Sequence, residues 1–88
     1  MNRFIILRQT LELFRSEPNR FAPNNIVDAL AWVALENHAS VLPVFDDFYA
    51  ALGPGKSLVE WQSEPRTHSE VLALLERVIA IAEGRRPS

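Results

Sequence analysis

The chain has 88 residues, of which 48% are hydrophobic and 23% charged; this length and composition indicate one globular domain and exclude a disordered tail. It contains no cysteine, which excludes disulfide frameworks and thiolate metal sites. Residues 24–64 carry six acidic side chains against one lysine, whereas arginines outnumber glutamates on both sides of that segment. Because nucleic-acid binding depends on clustered Lys and Arg, this acidic middle predicts a protein partner in preference to DNA or RNA.

Two apolar runs are too short for targeting or for membrane insertion. The run that follows Arg3 ends at Arg8, whereas the apolar region of a signal peptide takes about 7–15 residues. The stretch from 26 to 35 contains Asp28 and falls short of the ~20 residues that span a bilayer. We therefore expect a single cytoplasmic domain over residues 1–88 with no membrane contact, and we expect residues 84–88 to form a frayed tail.

The first predicted helix follows from the spacing of its apolar residues. Phe4, Leu7 and Leu11 recur every three or four residues, which places them on one face of an α-helix. Pro18 has a ring that does not fit a helix interior, so the helix ends before it. This pattern predicts a helix over about 3–16, followed by a loop that contains two prolines.

The second predicted helix is apolar on nearly all sides. It covers about 25–39 and begins at Asn25, a residue that commonly caps helix N-termini. Between residues 26 and 35 only Asp28 is not apolar. A helix of this kind is normally central and buried, which predicts that the other helices pack around it.

The third predicted helix carries one broad apolar face. Pro43 fits the first turn of a helix, and Asp46 and Asp47 lie towards the N-terminal half, as the helix dipole prefers. The residues of the broad face are Val44, Phe45, Phe48, Tyr49 and Leu52.

Two further helix starts are marked by capping boxes, in which Ser or Thr stands three residues before Glu. Ser57 and Glu60 form the first pair, and Thr67 and Glu70 form the second. The predicted fold is therefore all-α, a compact bundle of four main helices and one short helix. The main helices cover about 3–16, 25–39, 41–52 and 68–83, and the short helix covers about 58–63.

The segment Gly53-Pro-Gly-Lys-Ser57 has the ending of a phosphate-binding loop. Such a loop requires a leading glycine and a preceding strand, but Ala50 stands at the position of that glycine and the preceding segment is helical. The backbone offers a simpler explanation, in which Gly53 ends one helix, Gly55 turns the chain and Ser57 caps the next helix. We predict a connection between helices and no nucleotide.

The segment Leu52-Gly-Pro-Gly-Lys-Ser57-Leu58 also resembles the phosphopantetheine attachment region of acyl carrier proteins. Those proteins are likewise small, acidic and four-helical, and their modified serine begins a helix and precedes a leucine. The resemblance implies modification at Ser57. Lys56 stands where the family has an acidic residue, and Pro65 ends the next helix early. A carrier-like protein modified at Ser57 therefore stays as an alternative, while we predict no cofactor.

Two histidines are the remaining candidates for chemistry. His38 lies at the end of the second predicted helix, near the start of the third, where Asp46 and Asp47 are the candidate partners, and His68 lies in the first turn of the last helix. Neither has the H-x-x-x-H or E-x-x-H spacing of a helical metal site, and the chain has no nucleophile motif. We predict no catalytic residue, no metal and no enzyme.

Some apolar residues lie outside the predicted core faces. Trp32 falls on the far side of the second helix, and Leu74 and Ile81 lie on an edge of the last one. One interpretation is that the fourth helix covers Trp32, with Trp61 in contact. The other is that Trp32, Leu74 and Ile81 form a surface for self-association, because aromatic residues anchor interfaces.

The sequence therefore predicts a non-catalytic protein–protein interaction module, such as a small adaptor, inhibitor or immunity-type protein. We expect a homodimer, and we expect Asp46 and Asp47 to meet a basic protein partner. The alternative from another class is a DNA-associated regulator, for which the arginines of the first helix and of the tail are the candidate contacts.

Overall fold

The computed structural model describes residues 3–21, 25–53 and 55–84, and all regular secondary structure in these ranges is α-helical. The predicted all-α bundle is confirmed. Pro54 and the tail predicted to fray after residue 84 lie outside the described residues. The helices are α1 (Arg3–Ser16), α2 (Ile26–Glu36), α3 (Leu42–Leu52), α4 (Leu58–Ser63) and α5 (His68–Gly84).

The end of α2 differs from the prediction. The helix stops at Glu36, three residues early, because His38 adopts a left-handed backbone conformation with φ of 51°. The side-chain amide of Asn37 then donates to the Val33 carbonyl and to Gln9 Oε1 of α1, each at 2.8 Å. This amide replaces a further helical turn and joins the end of α2 to α1.

The helix starts follow the capping signals at two of three places. Ser57 Oγ accepts a hydrogen bond from the Glu60 N–H at 3.2 Å, and Thr67 and Glu70 bond reciprocally, at 3.0 and 3.2 Å. Asn25 occupies the N-cap position of α2, but its side chain accepts no bond there.

Packing in the bundle is organised around α1, which contacts α2, α3 and α5, while α4 bridges α2 and α3. The prediction that α2 is the central helix is wrong, since no extensive contact joins α2 to α5 among the described residues. Ile26 and Leu30 are fully buried, yet Leu35 on the same helix is 74% exposed. α2 therefore contains more apolar side chains than are buried in the core.

Ion pairs join the two ends of the chain. Arg8 of α1 pairs with Glu83 of α5, and Arg15 Nη2 lies 2.6 Å from Glu76 Oε1 of α5. Arg15 also forms an ion pair within α1, at 3.5 Å from Glu12. The basic first helix is thus neutralised mainly by α5, which leaves the acidic middle of the chain without those arginines.

Candidate interaction surface

An apolar groove lies between α3 and α4. Its volume is about 210 Å³, and Tyr49 and Val59 on its walls are 51% and 59% exposed. Exposed apolar patches of this kind commonly mark protein interaction sites. The lining residues, which define the α3–α4 groove, are Phe45, Tyr49, Ser57, Leu58 and Val59.

The outward position of Tyr49 follows from helix geometry. Val44 and Phe48 of α3 are fully buried against the rest of the bundle. Leu42, Asp46 and Tyr49 follow one another at spacings of four and three residues, so they share the opposite face. Leu42 is 69% exposed there. The predicted broad apolar face of α3 is therefore divided, and Tyr49 faces solvent.

Three contacts hold α4 in place as the second wall of the groove. Gln62 Oε1 accepts a hydrogen bond from the Val27 N–H of α2 at 3.0 Å, and so satisfies the helix start that Asn25 leaves uncapped. Arg66 donates from Nε to the Trp61 carbonyl at 3.0 Å and stacks over the Trp61 ring at 4.3 Å. Trp61 itself is buried. A six-residue helix gains little stability by itself, so these contacts fix its orientation.

Exposed carboxylates without a basic partner occur on both helices that form the groove. Asp46 and Glu60 are exposed, and within the described ranges neither forms an ion pair. The same holds for Asp28 and Glu36 of α2. The described Lys and Arg side chains are engaged by other carboxylates, with Arg77 as the exception. Among the described residues, the negative charge of the middle helices is therefore largely uncompensated.

Asp47 is not one of these exposed carboxylates. Its side chain is fully buried on the core face of α3, one residue from the exposed Asp46. The prediction that both carboxylates meet a partner is corrected to Asp46 alone, because adjacent positions on a helix point about 100° apart.

The predicted self-association surface is not continuous. Leu74 is buried in the bundle and Ile81 is half-buried, while Trp32 is 36% exposed on α2. Trp32 lies on α2, which shares no extensive contact with α5, the helix of Ile81, in the described ranges. Leu74 is removed from the predicted surface, since it fills the core.

Trp32 is covered by the loop after α1 and not by Trp61. The Arg20 guanidinium lies 4.2 Å from the Trp32 ring centroid, and the Phe21 ring lies 6.5 Å away. Phe21 also contacts Phe14 of the core at 6.4 Å. Phe21 therefore packs between the core and Trp32, and the cation–π contact of Arg20 screens one face of the Trp32 indole.

Neither histidine is placed for the chemistry considered from sequence. His38 is exposed and makes no ion pair with Asp46. The His68 ring packs 6.3 Å from Phe14, and its Nδ1 is buried without a hydrogen-bond partner among the residues described. No group of three metal-ligating side chains occurs in the described part of the chain.

Two other depressions are similar in size to the α3–α4 groove. One lies between α1 and α2, beside Trp32 and Glu36, with a volume of about 290 Å³. The other lies beside Trp61 and Arg77, with a volume of about 260 Å³. All three are below the roughly 300–1,000 Å³ that small-molecule sites occupy.

Glu70 is the carboxylate with a distinct electrostatic environment. The backbone N–H of Thr67 donates to it at 3.0 Å, and the Arg66 guanidinium lies 3.3 Å away. Both interactions favour the ionised form, so the pKa of Glu70 is lowered from its ordinary value of 4.5. This environment stabilises the start of α5 and carries no catalytic arrangement.

None of the described helices combines the length and apolarity needed to cross a membrane. In comparisons with known proteins, no family model, curated protein or solved structure matches the chain. The groove residues Tyr49 and Val59 were missed as site residues, although the wheel position of Tyr49 beside Asp46 was a usable signal.

Proposed function

We propose that this protein is a non-catalytic, cytoplasmic protein–protein interaction module, an adaptor, inhibitor or immunity-type protein that binds a basic partner. The observation that carries the proposal is that α3 and α4 expose both apolar area and unpaired carboxylates. Tyr49 and Val59 expose apolar area at the α3–α4 groove, and the same two helices carry the exposed carboxylates of Asp46 and Glu60, which have no basic partner in the described residues.

The charge arrangement supports a basic partner. Arginines of α1 are engaged by glutamates of α5, so they do not neutralise the middle helices. Exposed carboxylates act over about 8 Å at physiological salt, and they accelerate the encounter with a cationic surface. The apolar groove then supplies the contact that holds the complex, because buried apolar anchors dominate interface energetics.

The test begins by crosslinking the protein to partners that co-purify with it and identifying them by mass spectrometry. The association rate of an identified partner is then measured for the Asp46→Asn, Glu60→Gln double variant. Its matched control is Asp28→Asn, Glu36→Gln, which removes the same charge from α2. We expect the first pair to slow association more than the second. Recovery of nucleic acid alone, or equal rates for both pairs, refutes the proposal.

A carrier-like function is a second candidate because of the position of Ser57. Ser57 is the N-cap of α4 and also lines the α3–α4 groove, so a group attached to it would lie beside an apolar surface. Co-expression with a phosphopantetheinyl transferase tests this candidate. A mass increase that disappears in Ser57→Ala supports modification, and an unchanged mass rejects it.

DNA binding is the remaining alternative, and the ion pairs argue against it. Phosphate contacts require free Lys or Arg, whereas Arg8 and Arg15 are paired with α5. Retention on DNA that falls steeply with salt would favour this alternative over a protein partner.

A further inference from the structure

We propose that the α3–α4 groove binds a basic amphipathic helix, whose apolar side chains enter the groove while its Lys or Arg side chains meet Asp46 and Glu60. This inference rests on the proposed function and names the class of partner. It concerns only the surface between α3 and α4, where Tyr49 and Val59 are exposed.

The groove is formed by side chains at helical spacing. Phe45 and Tyr49 line it from α3 four residues apart, a step of about 6 Å, and Leu58 and Val59 line it from α4. A helix lying alongside presents its residues i and i+4 with the same spacing, and amphipathic helices dock into apolar grooves in this way. Addition of a strand has no template, because the described residues form no sheet.

The charges select a basic helix. Asp46 shares the exposed face of α3 with Leu42 and Tyr49, and Glu60 follows Val59 on α4. Both carboxylates remain without an ion pair in the ranges that the structure describes. A cationic side chain at the edge of a docked helix gains a partner without displacing an existing one.

A second copy of this chain is a poorer occupant of the same groove. Two copies would bring Asp46 and Glu60 of each protomer together, and like charges in an interface are unfavourable. Arg8 and Arg15 are already paired with α5, which leaves Arg77 as the described arginine that could neutralise them. The charge complementarity therefore points to a different, cationic chain.

The probe is a synthetic 18-residue peptide of Leu and Lys with leucines at i, i+4 and i+7, and its binding is measured by fluorescence anisotropy. A peptide of the same composition with scrambled order tests amphipathicity, and one with Glu in place of Lys tests charge. We expect the ordered basic peptide to bind at least about tenfold more tightly than either control. Its helical circular dichroism should increase on binding.

The position of the site is tested by matched variants of the protein. Val59→Ser changes the groove and Leu35→Ser makes a comparable truncation at an exposed site of α2. We expect Val59→Ser to weaken binding at least about fivefold and Leu35→Ser less than twofold. If Val59→Ser shifts the urea midpoint, Tyr49→Ser in α3 provides the same comparison.

Three results would overturn the inference: equal binding of the scrambled peptide, equal effects of Val59→Ser and Leu35→Ser, or equal binding of a proline-containing peptide that cannot form a helix. The proposed function and the helical partner can be tested separately. If a crosslinked protein partner depends on Asp46 and Glu60 but the amphipathic peptide does not bind, the protein is still an interaction module and the helical partner is rejected.

Discussion

Replacing each of two leucines in α2 by alanine separates the effect of burial on stability from the effect of residue type. Leu30 is fully buried and Leu35 is 74% exposed, and both lie within the same helix. Leu→Ala at either position makes the same chemical change and the same change in helix propensity. Any difference between the two variants in the free energy of unfolding therefore reports packing.

The expected losses in the free energy of unfolding follow from the exposed fractions of the two leucines. Burial of a leucine side chain contributes roughly 1.5–3 kcal/mol, and a cavity left in the core raises the cost of Leu→Ala to about 3–5 kcal/mol. We expect that cost at Leu30. At Leu35 about a quarter of the side chain is buried, so the expected cost is about 0.4–0.8 kcal/mol.

Thermal unfolding followed by circular dichroism at 222 nm measures the melting temperatures of both variants. Because 1 kcal/mol shifts the melting temperature of a domain this size by about 4–8 °C, we expect Leu30→Ala to melt at least about 10 °C below Leu35→Ala. Equal losses would show that Leu35 is also buried, either in a central α2 or in a dimer. A loss at Leu35 that grows with protein concentration would identify the dimer.

Three further outcomes are expected. Glu70 has a lowered pKa in the folded protein, so its contribution to stability is present above the ordinary pKa of 4.5 and is lost as the pH falls through the folded value; Glu70→Gln should flatten the fall in urea midpoint below about pH 4.5, and an unchanged profile would contradict this. Gly53 ends α3 with φ of 91° and its added Cβ would meet no atom within 4 Å, so Gly53→Ala should cost about 1–3 kcal/mol from backbone strain alone, and a neutral result would reject that backbone conformation. The accessible surface of 5157 Å² is close to the roughly 5,200 Å² of a folded 10.0 kDa monomer, and we therefore expect the protomer to stay folded without a partner; sedimentation at micromolar concentration should show folded monomer on dilution, and loss of helicity together with the dimer would contradict this.

Local signals in the sequence determined where the helices lie. Helical hydrogen bonds join residues four apart, so a proline such as Pro18 or a cap such as Ser57 or Thr67 acts on neighbours a few positions away. For that reason α1 and α4 begin and end at the predicted residues. The connection formed by Gly53 and Gly55 follows from the same local logic, since both adopt positive φ.

Only the tertiary structure decided which apolar and charged side chains remain available to a partner. The sequence shows that α2 and α3 are rich in apolar residues, but packing decided that Leu35 and Tyr49 face solvent. It also decided that Arg8 pairs with Glu83, 75 positions away, and that Asp46 keeps its exposed carboxylate. These outcomes depend on contacts between helices that are distant in sequence, and the periodicity of a single helix contains no information about them.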